Sequence, residues 1–227
     1  MRLQASCAAL AAALATVTAG AASAQDVAFN AAVTSDYVFR GVSQTSEDPA
    51  LQIGVDYTTG GFYVGAWASN VDFGDDTDAE VDLYAGYRTE AAGFAFDFGA
   101  VGYTYVNAPS LPDAGYGYVE LKAAASRAIG PATIGAALYF SPDFFGIDER
   151  ATYVEANLAF APADKWTVSA AVGKQMLDVS DDYATWNIGV GYAFTDNLVA
   201  DVRYHDTDVG NVDIYDGRVA ATLKVLF

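Results

Sequence analysis

The chain has 227 residues and a net charge of −18 at neutral pH, yet it is 53% hydrophobic and 14% aromatic, with 21 glycines. Such acidity repels nucleic-acid phosphates and anionic lipid faces, which sets nucleic-acid binding aside. A chain this acidic and this apolar is not of disordered composition, and it has to segregate its two characters.

In chain order, the first element is Met1-Arg2, an apolar stretch between about residues 8 and 17, and Ala22-Ser23-Ala24 ahead of Gln25-Asp26. A positive start, a short apolar centre and a small-x-small exit predict a secretory signal peptide over 1–24, cleaved after Ala24. The stretch is mostly Ala and falls short of the roughly 20 apolar residues that a membrane-crossing helix needs. Cys7, the only cysteine, lies inside it, so the mature chain is expected to hold no disulfide and no cysteine metal cluster.

From residue 25 onward the period is two. The alternation predicts twelve strands, near 27–39, 50–58, 62–69, 79–89, 93–106, 116–127, 132–141, 150–160, 166–175, 183–194, 198–206 and 215–227. Val81, Leu83, Ala85 and Tyr87 alternate with Glu80, Asp82, Tyr84 and Arg88. Leu198, Ala200, Val202 and Tyr204 alternate with Asp201, Arg203 and His205, and Val219, Ala221, Leu223 and Val225 with Arg218, Thr222 and Lys224. These strands have one apolar face and one polar or charged face.

The connections alternate too. Thr59-Gly60-Gly61, Glu90-Ala91-Ala92 and Thr195-Asp196-Asn197 are tight turns, whereas 40–49, 70–78, 107–115, 142–149, 176–182 and 205–213 are longer and hold most of the Asp and Glu. An even strand count with short and long connections in turn predicts a transmembrane antiparallel up-and-down β-barrel over 25–227, both termini periplasmic, in the outer membrane. A secreted β-sandwich also needs alternating strands. Aromatics near strand ends, among them Tyr57, Phe62, Tyr87, Phe160, Trp166 and Phe194, match interfacial girdles and favour the barrel.

The inward set is then Asp56, Trp67, Asp82, Tyr84, Arg88, Tyr118, Glu120, Lys122, Glu155, Asn157, Asp201, Arg203, Arg218 and Lys224. An interior of mixed charge is either a narrow aqueous path or a plug of mutually paired residues. Acidic loops draw cations toward the outer mouth. Asp72-Phe73-Gly74-Asp75-Asp76-Thr77-Asp78 and Asp206-Thr207-Asp208-Val209-Gly210-Asn211 gather oxygen ligands suited to Ca²⁺, without the ordered twelve-residue loop that holds it. Arg40-Gly41 either sets a guanidinium at the mouth or pins the first loop to acidic partners. The only imidazole is His205 and no Gly-x-Ser-x-Gly turn is present, so no catalytic, cofactor or metal residue is expected.

The segment Ser35-Asp36-Tyr37-Val38-Phe39-Arg40-Gly41-Val42-Ser43-Gln44 resembles the opening of the TorF family of porins. So do Asp48-Pro49-Ala50-Leu51-Gln52, Gly61-Phe62-Tyr63-Val64-Gly65-Ala66-Trp67, Tyr183-Ala184-Thr185-Trp186-Asn187 and Tyr204-His205-Asp206-Thr207-Asp208. The resemblance implies an outer-membrane barrel and brings no substrate residues with it. The end, Ala221-Thr222-Leu223-Lys224-Val225-Leu226-Phe227, resembles the signal read by the envelope's barrel-assembly machinery. The expectation is weakly cation-preferring passage of small hydrophilic solutes, in contact with outer-membrane lipid and lipopolysaccharide, with the oligomeric state open. The alternative is a non-conducting barrel that binds a ligand, divalent ions or a surface partner.

Overall fold

The computed structural model describes residues 26–109 and 115–227; the expected signal peptide and residues 110–114 of the expected loop 107–115 lie outside them. Strand β1 (Asp26–Thr34) is followed by a short hairpin of β2 (Val38–Phe39) and β3 (Val42–Ser43). Then come β4 (Ala50–Thr59), β5 (Phe62–Asn70), β6 (Ala79–Ala91), β7 (Phe94–Val106), β8 (Tyr118–Ile129) and β9 (Ala132–Ser141). The chain ends with β10 (Ala151–Ala163), β11 (Trp166–Leu177), β12 (Tyr183–Ala193), β13 (Leu198–Thr207) and β14 (Arg218–Leu226).

All but β2 and β3 form a closed barrel, twelve strands in order of sequence, with β1 paired antiparallel to β14 from Asn30 opposite Leu226 to Thr34 opposite Thr222. Closure joins the first strand to the last, so the ladder N–H and C=O groups of the wall pair with one another without water, the condition for crossing a bilayer with strands.

The alternation turns the molecule inside out relative to a water-soluble core. Leu51, Ile53, Phe62, Leu83, Ile188, Val202 and Val219 stand exposed on the outer wall, while Tyr63, Tyr103, Tyr118, Tyr139 and Tyr153 are buried with Asp82, Asp97, Glu120, Asp201 and Arg203 inside. Aliphatic groups exposed around the circumference are at ease in hydrocarbon, and charges gathered inside satisfy one another. Glycines on the inner wall leave room for the rings to lie flat. A Cβ at Gly65 would collide with Tyr84, one at Gly86 with Tyr63, and one at Gly173 with Tyr153.

All strand ends but one fall within three residues of the sequence expectation, and two of the differences have a visible cause. The first strand, expected to run to 39, stops at Thr34, whose hydroxyl donates to the Asp36 carbonyl at 2.9 Å as the chain leaves the wall. Residues 38 and 39 belong instead to the hairpin. The last strand, expected from 215, starts at Arg218, because Asp213–Tyr215 form a 3-10 turn whose Asp213 carbonyl accepts from the Arg218 guanidinium.

At the loop-bearing end, Phe73 packs on Tyr105 and Tyr116 with ring centroids 5.6 and 5.8 Å apart. The Asp75 carboxylate accepts from the Thr77 N–H at 2.8 Å and the Tyr116 hydroxyl at 2.6 Å. Hydrogen bonding by Thr77 and Tyr116 holds the Asp75 carboxyl below its ordinary range, and the same Asp75 contact raises the Tyr116 phenol.

Candidate functional site in the barrel lumen

The segment 35–45 does not lie over the mouth; it enters it. Phe39 pairs with Val42, leaving a two-residue turn in which Arg40 and Gly41 both have positive φ, 48° and 83°. That is the turn whose twist suits a tight hairpin, and it asks for glycine or a tolerant residue at both positions. The base of the hairpin is tied by the Asp36 carboxylate, which accepts from the Ser43 hydroxyl at 2.7 Å, the Thr45 hydroxyl at 3.1 Å and Arg218 of β14 at 3.3 Å. Its flank is tied by Tyr37, which donates to Glu80 at 2.8 Å and packs edge-on against Trp67 at 5.2 Å.

The tip crosses the lumen. Arg40 meets Glu120 of β8 as a two-pronged fork, Nη2 at 2.7 Å from Oε2 and Nη1 at 2.8 Å from Oε1, and Nη1 also donates to the Gln175 amide oxygen of β11 at 3.0 Å. Tyr103 donates to the same carboxylate at 3.0 Å. The guanidinium lies 4.4 Å from the Tyr153 ring centre, 4.6 Å from Phe39 and 5.0 Å from Tyr139. Glu120 is 0% exposed. A carboxylate so buried is tolerable only with strong, well-directed donors, which the fork and the phenol supply. On the far side a Cβ at Gly41 would collide with Thr207 of β13. The first loop is thereby pinned, the second of the two roles open to Arg40 from sequence.

Beneath the tip lies a chamber of about 120 Å³, bordered by Arg40, Tyr139, Glu155, Asn157, Arg203 and His205 among others. Arg203 is held by Asp201 at 3.2 Å, Asn187 at 2.7 Å and the Ser169 hydroxyl at 2.7 Å. Glu155 accepts from Tyr153 and Asn157, each at 3.2 Å. Nearer the terminal end, Asp97 collects Lys122 at 2.8 Å, Arg88 at 3.5 Å and the Tyr63 hydroxyl at 2.7 Å. Tyr84 donates to Asp56 at 2.8 Å, and Lys224 stands in register with the buried Ala32 and Val199. Asp82 faces Trp67 across the β5–β6 ladder, and its Oδ1 has no hydrogen-bond partner among the described residues. Tyr118 stacks on Tyr103 at 4.5 Å.

The thirteen charged and aromatic positions expected to face inward, and Asn157 with them, therefore stand on the inner wall. The inward set left out Asp97, Asp36 and Gln175, and also Glu80, although the alternation of β6 places Glu80 on its polar face. Asp97 had a signal, a lone carboxylate between Phe96 and Phe98 with the parity of Gly99 and Tyr103. The acidic loop segments direct carboxylates to nearby donors, Asp72 to the Gly74 N–H at 2.9 Å and Asp78 to the Asn107 amide at 2.5 Å. Among the described residues no group of three or more His, Cys, Asp or Glu is placed to hold a metal.

A twelve-stranded closed barrel with an apolar wall, a polar lumen and an inserted hairpin is the architecture of a transmembrane β-barrel. The chain belongs to the family described as "Bacterial protein of unknown function (Gcw_chp)", whose profile matches residues 18–225. Among proteins of curated function none matches the sequence. Among solved structures, "KdgM porin" is similar with a TM-score of 0.60 and 8% identity over 88% of this chain and 97% of that one. The "KdgM porin in complex with disordered oligogalacturonate" gives the same figures, 0.60, 8%, 88% and 97%. A membrane protein from "Unveiling the Mechanism Behind the in-meso Crystallization of Membrane Proteins" aligns with a TM-score of 0.56 and 9% identity, over 88% of this chain and 83% of the other. At such identities the likeness concerns the fold, that of outer-membrane porins.

Proposed function

We propose that this protein is an outer-membrane channel for passive passage of small hydrophilic solutes, weakly preferring cations, with the β2–β3 hairpin as the constriction of its loop-bearing mouth. The observation that carries this reading is the contrast between an aliphatic outer wall and a lumen of carboxylates, guanidinium groups, amides and phenols. Water and fixed charges of both signs solvate a passing solute at close quarters. The cation preference rests on Glu80, Asp82 and Glu155, which have no ion pair among the described residues, and on the acidic loops, whose reach salt limits to about 8 Å. The resemblance to TorF porins supports the same role, with export by the leader, insertion by the barrel-assembly machinery, both termini periplasmic and the outer loops against lipopolysaccharide.

One observation favours a second reading, a ligand-binding barrel that does not conduct. Arg40, Arg88, Lys122, Arg203 and Arg218 each have a carboxylate within 3.5 Å, as a plug would. Single-channel recording in planar bilayers separates the two, comparing the refolded mature protein with a variant in which residues 38–43 are replaced by a short glycine linker. Discrete steps with a reversal potential favouring cations, several-fold larger in the shortened variant, are expected. A correctly folded pair of proteins that both stay silent would sink the channel reading.

A further inference from the structure

Arg40 rests in a site that is complete without the rest of the hairpin. Glu120 offers both oxygens in the plane of the fork at 2.7 and 2.8 Å, Gln175 offers its amide oxygen at 3.0 Å, and Tyr103 braces the carboxylate from behind. Tyr139 and Tyr153 close over the cation at 5.0 and 4.4 Å. Apart from Phe39, every group that touches the guanidinium comes from the wall, on β8, β9, β10 and β11. The carboxylate is sealed from solvent, so losing its cation would leave a bare buried charge. A carboxylate, an amide oxygen and two ring faces converging on one plane are the recognition elements for a guanidinium group, or less well for an alkylammonium, which lacks the fork.

We infer that this cage is a binding site for small organic cations bearing a guanidinium or primary amine, occupied in the resting molecule by the chain's own Arg40. A cationic solute reaching Glu120 competes with Arg40, and its binding releases the tip while the Asp36 ties keep the base of the hairpin in place. The lumen then discriminates among cations by shape as well as charge. The binding step stands on the cage alone; the release of the tip as an opening step rests on the channel reading.

The test is chemical rescue of Arg40→Ala, refolded in detergent micelles. Removing the side chain lowers the melting temperature, and millimolar methylguanidinium is expected to restore most of the loss, binding on the order of tenfold more tightly than methylammonium. Sodium chloride at equal ionic strength should restore none of it, and Arg40→Ala/Glu120→Gln should not respond. Recovery with sodium chloride alone, or an equal response in the double variant, would overturn the site. Should Arg40→Ala fail to refold, Arg40→Lys serves in its place, since a lysine cannot reproduce the fork, and a tighter competing methylguanidinium still raises its melting temperature. Melting needs no conduction, so a guanidinium shift with silent bilayers supports the site and removes the channel, whereas conducting protein with no guanidinium shift overturns the site and leaves the channel.

Discussion

Gly41 combines a φ of 83° with the Thr207 methyl pressed against the place where a Cβ would sit. Both features act against any other residue, and together they predict that Gly41→Ala costs about 2–4 kcal/mol, read as a lower urea midpoint for unfolding in micelles. Gly74 has a similar φ of 76° but open space around it, so alanine there carries the backbone strain alone, about 1 kcal/mol. At this scale the lumen was only partly legible. Inward parity picked out Glu120, Arg203 and Asp201 because their strand neighbours alternate cleanly. Asp97 is a lone carboxylate among Phe94, Phe96 and Phe98, whose apolar character marks the outer face of β7 more strongly than one charge marks the inner. Which carboxylate meets which cation was not legible at all. Arg40 and Glu120 are 80 positions apart, and only barrel closure sets them face to face.

Elements show a sharper contrast between what sequence gives and what it hides. The barrel strands advertise themselves by a period of two, and their number was read correctly. The hairpin hides inside that same signal, since Tyr37, Val38 and Phe39 continue the β-forming character of β1 past Thr34. Its only local marker is Arg40-Gly41, a pair that a tight turn with positive φ at both positions accommodates. Between loops, the Asp75–Tyr116 contact joins the β5–β6 connection to the residues just before β8. The lowered Asp75 carboxyl contributes above its ordinary range and loses that contribution only as pH falls through the lowered value. The raised Tyr116 phenol contributes below its ordinary range and is lost as pH rises through the raised value. The contact should therefore hold from mildly acidic to mildly alkaline pH. In an NMR titration of carboxyl-labelled protein in micelles, the Asp75 signal should titrate below the ordinary aspartate range, and Tyr116→Phe should move it back up.

The whole molecule is defined by which solvent touches which face. Leu83 stands 61% exposed near the middle of β6, where water would penalise it and hydrocarbon would not. Leu83→Arg should destabilise folding into phospholipid vesicles by about 2–4 kcal/mol, measured by reversible urea titration. On a water-facing wall the same change would stay within about 0.5 kcal/mol, an outcome that would contradict a lipid-facing barrel. The hairpin has one more consequence, in time. Arg40 leaves the synthetic line early, but its seat is built from residues 80 and 135 positions later, and the hairpin's base waits on Arg218, 182 positions beyond Asp36. Contacts at such separation cannot form until the intervening chain has been brought back on itself. The seat of Arg40 is therefore complete only once β8 and β11 stand in the wall, and the hairpin's base is complete only once β14 does.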